Sequence, residues 1–227
     1  MALILQIETA IASCSIALSL NAKVIACKEQ HERNIHASHI TLFIKEVIEG
    51  AGKLLTDIDA VAVSMGPGSY TGLRIGTSAA KGLCYALDIP LIAVNTLQSM
   101  AAGIISSGLF PSHNLYCPMI DARRMEVYTA IYDQQLNEKL STRAEILQKD
   151  SFIEFLKADR IVFFGDGAFK CSDIVSSSSS TIFTEFINSA KDMSSLALDK
   201  FNNQDFEDIV CFEPFYLKDF LVLKPKS

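Results

Sequence analysis

The chain has 227 residues, 49% of them apolar and 20% charged, which suits one large or two small globular domains and excludes a disordered polypeptide. Its net charge of −6 argues against a broad phosphate-binding surface, so a nucleic-acid partner would meet its basic face on another subunit. Six cysteines, at 14, 27, 84, 117, 171 and 211, lack C-x-x-C spacing and mostly sit in apolar runs, which reads as buried free thiols in a reducing compartment.

Met1 to Leu20 is apolar, and Ile11-Ala12-Ser13-Cys14 mimics a lipoprotein cleavage box. Yet no Lys or Arg precedes Lys23, and Gln6 and Glu8 interrupt the run. No segment supplies the roughly 20 unbroken apolar residues of a membrane span. The expectation is a cytoplasmic protein without membrane contact. Leu3–Ile7 reads as a central strand ending at Glu8-Thr9-Ala10, and Ser13–Leu20 as a second. Asn21-Ala22 makes a two-residue turn into a third strand, Lys23–Lys28. From His36 to Ala51 the pattern is an amphipathic helix, with Ile40, Phe43, Ile44, Val47, Ile48 and Ala51 on one stripe. His36 and His39 stand three apart at its start, a spacing able to present two metal ligands, but no third ligand is evident. The expectation is therefore no metal.

Ile58–Met65 is the next strand, and it stops abruptly at Gly66-Pro67-Gly68-Ser69-Tyr70-Thr71-Gly72-Leu73-Arg74-Ile75-Gly76. The run Leu73–Leu87, rich in alanine and leucine, reads as a helix. Glycines and a proline in that turn let its backbone approach another group closely, and Gly68→Val should disturb folding if Gly68 has a positive φ. Ser69 and Thr71 are N-cap candidates, and the amides behind them could meet an anion. Neither familiar phosphate loop is present: Gly72 is followed by Leu73-Arg74 and not Lys-Ser/Thr, and the third glycine falls one residue late for G-x-G-x-x-G. Gly76, Ala79, Ala80 and Ala86 leave small residues around the helix, which suggests close packing on two sides.

Ile89–Val94 reads as a strand and Thr96–Ser106 as a helix capped by Thr96, with a domain junction between about 105 and 114. Strands then follow at Leu115–Ile120, Met125–Tyr132 and near Leu140–Ala144. The turn Asp121-Ala122-Arg123-Arg124 joins the first two. Phe152–Leu156 and Ser194–Phe201 read as helices and Ile161–Phe164 as a strand ending at Gly165-Asp166-Gly167. The pentaserine Ser176–Ser180 reads as a surface loop.

The undecapeptide Gly66–Gly76 resembles the GPGSFTGLRIG signature of the TsaB family, with Tyr70 in place of Phe. Asp121 to Tyr128 resembles that family's D-A-R-x-x-E-V-Y, Glu8-Thr9-Ala10 its first turn, and Glu213 to Lys218 its terminal E-P-x-Y-L-R, with Lys218 for Arg. The resemblance covers essentially the whole chain. It implies an α/β actin-like ATPase (ASKHA) fold of two lobes, 1–108 and 109–227, each a mixed sheet flanked by helices. In that superfamily the first hairpin holds nucleotide phosphates and an acidic residue at the end of the first strand organises magnesium, which places Glu8 and Thr9 there. Gly165, Asp166 and Gly167 take the place of the adenosine loop, where the Asp166 carboxylate would repel phosphate.

The resemblance further implies a non-catalytic partner of the transferase TsaD, working with TsaE in threonylcarbamoyl transfer to tRNA, with tRNA reached only through the complex. Alone, such a chain would be a homodimer. No cofactor is expected in the isolated chain, and a place for ATP or ADP stays open at the partner interface. The two helices would form that interface through Ile40, Phe43, Ile44, Val47, Gly76, Ala79, Ala80 and Leu83. Two other readings are an active ATPase or phosphotransferase of the same fold, using Glu8 for magnesium, and a metallopeptidase using His36 and His39.

Overall fold

The computed structural model describes residues 1–11, 13–31, 36–158, 160–172, 174 and 181–218. The first sheet contains β1 (Leu3–Glu8), β2 (Cys14–Leu20), β3 (Lys23–Gln30), β4 (Ala60–Gly66) and β5 (Leu91–Asn95), in the order β3-β2-β1-β4-β5. β1, β2 and β3 form an antiparallel meander, while β4 and β5 run parallel to β1. β1 is buried along its whole length, as its unbroken apolar run requires. β3, at the edge, is largely exposed and carries Lys23, Lys28 and Glu29, charges that suit an unpaired sheet edge. Asn21 and Ala22 both have positive φ, the geometry of a two-residue hairpin.

Alternation along the strands builds two cores on this one sheet. Leu3, Leu5 and Ile7 face α1 (His36–Gly50) and α2 (Tyr70–Leu87), together with Phe43, Val47, Ala80 and Cys84. Ile4, Ala62, Ile92 and Val94 face the other way, onto Met193 just before α6 (Ser194–Asn202) and Ala197 within it.

The second sheet has the order β10-β9-β6-β7-β8, built from β6 (Leu115–Asp121), β7 (Glu126–Tyr132), β8 (Glu138–Ile146), β9 (Ile161–Phe164) and β10 (Thr181–Thr184). One face, with Cys117, Met119, Ile131 and Phe163, is covered in part by α4 (Ile153–Ala158) and α5 (Ala168–Ser172). Tyr116, Ile120, Ala130 and Phe164 on the opposite face pack on Leu97, Met100 and Ile104 of α3 (Thr96–Ser106). The two sheets fall on either side of residue 108, but the helices cross over. α3 leaves the first sheet to cover the second, and α6 returns to cover the first. The two segments meet at Gly103, where an added Cβ would lie 2.6 Å from Asp192 Cγ.

Several boundaries differ from the sequence reading. α2 begins at Tyr70, not Leu73, with Ser69 as its cap, so Thr71 lies inside the first turn. Asn95, not Thr96, caps α3, its Oδ1 accepting from the Leu97 and Gln98 amides at 2.9 and 3.2 Å. α5 and β10 had no sequence signal, being only five and four residues long. The pentaserine lies outside the described residues. All six cysteines are free; Cys27 and Cys211 are exposed, against expectation, while burial pushes the Cys14 and Cys84 thiols up to about 11. No helix among the described residues is long and apolar enough to cross a membrane.

Candidate functional site

Four separated stretches of sequence converge where β1 and β4 end. The turn after β1 lies directly under the start of α2. Ser69 donates its amide to the Ala10 carbonyl at 2.6 Å, and Thr9 Oγ1 donates to the Gly72 carbonyl at 2.8 Å. Glycines at 68, 72 and 76 line this contact. A Cβ on Gly68 would stand 2.3 Å from Ala10 O, one on Gly72 2.0 Å from Thr9 O, and one on Gly76 2.2 Å from Thr9 Oγ1. Their common purpose is close approach. Positive φ belongs instead to Gly66, at +113°, where an added Cβ would lie 2.6 Å from Phe215 O. At Gly68 it is Ala10, and not a positive φ, that excludes a side chain. Pro67 is buried between these glycines.

Glu8 has no exposed surface. Its Oε1 accepts from the Ala10 amide at 2.6 Å and from Ser64 Oγ at 2.9 Å, and its Oε2 accepts from Asn188 Nδ2 at 2.7 Å. Burial raises its pKa from the ordinary 4.5 to about 7 in spite of those three donors. Around it, Ser13 Oγ donates to Asn188 O at 3.0 Å, and Ser189 Oγ donates to Glu29 Oε2 at 2.7 Å. Asp192, raised to about 6 by burial, accepts from the Ser189 amide at 3.0 Å.

This arrangement does not fit the magnesium role that the resemblance implies for Glu8. Both its oxygens point at donors of the chain itself. Thr9 is likewise committed to Gly72. The Gly165–Gly167 turn, too, is closed by packing. A Cβ on Gly165 (φ +102°) would lie 2.4 Å from Met119 O, one on Gly167 2.9 Å from Val127 Cγ1, and Asp166 Oδ1 accepts the Asp121 amide at 2.8 Å. The amide of Gly72 is taken by Ser69 Oγ at 3.3 Å, so the start of α2 is capped by the chain itself.

The tail ties these parts together. Phe215 donates its amide to Met65 O at 2.7 Å. The Tyr216 ring lies 4.9 Å from that of Tyr70, and Arg74 Nε donates to Tyr216 Oη at 3.3 Å. Lys218 pairs with Glu126 on the second sheet. Signature turn, first hairpin, β6–β7 hairpin and tail thus form one assembly.

The predicted interface side chains are mostly interior. Ile40, Phe43, Ile44, Val47, Gly76 and Ala80 are buried, and α1 and α2 pack on each other. Ala79 and Leu83 are half-buried against the same core. The surface α2 presents is instead Thr71, Arg74, Ser78, Gly82, Tyr85 and Ala86. The side chain of His36 lies outside the described residues, and His39 packs its ring 5.7 Å from Phe43. Among the described residues no group of three His, Cys, Asp or Glu could hold a metal ion. Sequence reasoning missed Ser64, Asn188 and Asp192. Ser64, a polar residue inside an apolar strand, was a visible signal; Asn188 and Asp192 carried none.

Comparison with known proteins gives a consistent set of likenesses. The family model described as TsaD, tRNA N6-adenosine threonylcarbamoyltransferase, matches residues 27–215. The tRNA threonylcarbamoyladenosine biosynthesis protein TsaB of Bacillus subtilis is 34% identical over 165 residues, 71% of this chain and 69% of that protein. Its Escherichia coli counterpart is 37% identical over 138 residues, 59% of this chain and 56% of that one. The match to the E. coli protein thus spans little more than half its length. Among solved structures, YeaZ from Pseudomonas aeruginosa superposes with a TM-score of 0.81 at 25% identity, covering 96% of this chain and 100% of that one. A dehydratase activator from Clostridium difficile, solved with bound ADPNP, shares the actin-like fold at TM-score 0.50 and 7% identity, over 91% of this chain and 98% of that one.

Proposed function

Since the chain belongs to the TsaB/YeaZ family, within the wider family of the threonylcarbamoyltransferase model, we propose that it is a non-catalytic subunit in threonylcarbamoyl-adenosine modification of tRNA. The observation that carries the non-catalytic part is Glu8. A carboxylate held by Ala10, Ser64 and Asn188 is enclosed by the chain's own donors and has no exposed surface on which to organise magnesium and phosphate. The glycine turn supports the same reading, because its close approaches are all to the chain itself.

In this account a TsaD-type transferase carries the metal, the nucleotide and the chemistry, and TsaE completes the assembly. This chain supplies a docking surface, the outer face of α1 and α2. Alone it pairs with a second copy. ATP or ADP has its place at the partner interface and not in this chain's own cleft, and the setting is the cytoplasm.

Three measurements test the reading. Co-purification with the transferase and restoration of the modified adenosine in depleted cells are the expected results. Steady ATP hydrolysis by the purified chain, lost in Glu8→Ala, would overturn it in favour of an active ATPase.

A further inference from the structure

Between α2 and the tip of the β6–β7 hairpin, the surface carries two clusters of basic and aromatic side chains, joined through the tail. The Arg74 guanidinium lies 4.1 Å from the centre of the Tyr70 ring, which in turn packs on Tyr216. Two residues on, Lys218 sits 6.0 Å from the centre of the Tyr128 ring. At the far end Lys170 Nζ donates to the Arg124 carbonyl at 2.8 Å.

Two of the carboxylates along this ledge are ion-paired, Asp121 with Lys170 and Glu126 with Lys218. Asp121 accepts from the Arg123 amide and from Lys170, and Asp166 accepts from the Asp121 amide. Glu126 accepts from Lys218, and Glu213 lies near Arg74. Arg123 and Arg124 differ: both are exposed, and neither guanidinium has a hydrogen-bond or ion partner among the described residues. Their φ angles are +66° and +48°. The loop runs from Ala122 to Met125 and is closed by the Ala122 amide donating to Glu126 O at 3.1 Å. Positive φ favours glycine or asparagine there, so backbone conformation does not explain two arginines at this tip.

We propose that this ledge binds the phosphodiester backbone of RNA, with Arg123 and Arg124 as the principal phosphate contacts. Guanidinium forks suit phosphate oxygens, and tyrosine rings beside them offer faces on which bases stack. The chain's net charge of −6 sharpens this, because a polyanion is repelled by most of the surface and drawn to adjacent arginines that carry no ion partner among the described residues. The choice of tRNA as the RNA rests on the functional reading above; the ledge itself asks only for a phosphate backbone with accessible bases. It also revises the expectation that another subunit supplies all of the basic surface.

The test titrates a fluorescent tRNA transcript into the full chain at about 50 mM salt and upward, where non-specific electrostatic binding is still measurable. The double variant R123N/R124G places the favoured turn residues at the tip, so it should melt no lower than the parent. It should nonetheless bind about tenfold more weakly, and its slope of log affinity against log salt should shrink by about two, one for each lost phosphate contact. Lys45→Gln, on exposed α1, should change neither value. The proposal is overturned by no binding at low salt, by an unchanged slope in the double variant, or by an equal loss in Lys45→Gln. It is also overturned if the double variant keeps RNA binding but no longer co-purifies with the transferase, since the ledge would then dock an acidic protein surface. A parent chain that binds the transcript but never joins the transferase counts against the functional reading and leaves the ledge standing.

Discussion

Asn188 Nδ2 donates to Glu8 Oε2 at 2.7 Å, joining residues 180 positions apart in the sequence. This bond holds the segment that returns from the second sheet against the end of β1. It also completes the enclosure of the Glu8 carboxylate, which has no exposed surface.

A pH dependence follows from that burial. Glu8 titrates near 4.5 in the unfolded chain and near 7 when folded, so between those values the folded state holds a proton that the unfolded state has released. Stability should fall as pH rises from about 4.5 to 7 and level off above, by at most roughly 3 kcal/mol. Asp192, raised to about 6, acts in the same direction over a lower range. Glu8→Gln should therefore flatten the melting-temperature profile between about pH 6 and 7 while leaving part of the slope below pH 6. An unchanged profile would mean that the buried carboxylate does not titrate in this window.

Removing the other partner sharpens the same point. Asn188→Ala leaves the Glu8 carboxylate with two donors and should cost about 2–3 kcal/mol, the penalty for stripping a hydrogen bond from a buried charge. The loss should be larger at pH 8, where Glu8 is ionised, than at pH 5. Urea midpoints at the two values would show it.

The glycines of α2 divide by their surroundings. Gly72 has Thr9 O where its Cβ would go, at 2.0 Å, while Gly82 has nothing within 4 Å. Gly72→Ala should destabilise by about 1–3 kcal/mol through overpacking. Gly82→Ala should stabilise by about 0.5–1 kcal/mol, the helix preference for alanine. Thermal melts of the two variants should move in opposite directions.

Much of this was legible because short-range patterns set it. The apolar run Leu3–Ile7, the turn Asn21-Ala22 and the stripe through Ile40, Phe43 and Val47 each report their own environment. The same stripe misled about function, because a face that packs on the chain's own sheet reads the same as one that docks a partner. The donors of Glu8 were hidden for a related reason. Its position at the end of β1 is local, but its donors Ser64 and Asn188 are set by tertiary contacts. At Gly68 the sequence showed that a close approach was wanted but not what it approached, since the Ala10 carbonyl is brought there by the fold. The crossing of α3 and α6 between the sheets left no mark in the sequence at all.

Opposite faces of α2 separate folding from docking. Ala80 is fully buried between the sheet and α1, so Ala80→Arg forces an unpaired guanidinium into the core and should abolish cooperative unfolding. Tyr85 is 84% exposed. Tyr85→Arg should leave circular dichroism and melting temperature close to the parent, surface changes being usually within about 0.5 kcal/mol. If the outer face of α2 docks the transferase, that variant folds but no longer co-purifies. A folded variant that still binds and complements would remove α2 from the interface.

The tail offers the last test, because one tyrosine joins it to the signature turn in two ways. Tyr216 stacks near Tyr70 and accepts from Arg74 Nε. Tyr216→Phe keeps the ring and loses the hydrogen bond, which at an exposed site should cost no more than about 1 kcal/mol. Tyr216→Ala loses both, adding the ring pair's roughly 0.5–1.5 kcal/mol and the buried area. The amide of Phe215, which donates to Met65 O at 2.7 Å, reports whether the tail stays in place. Hydrogen exchange at that amide should remain slow in Tyr216→Phe and become fast in Tyr216→Ala. Slow exchange in both would mean that the backbone bond and the Lys218–Glu126 pair hold the tail without help from the ring, and that the tyrosine serves the RNA ledge alone.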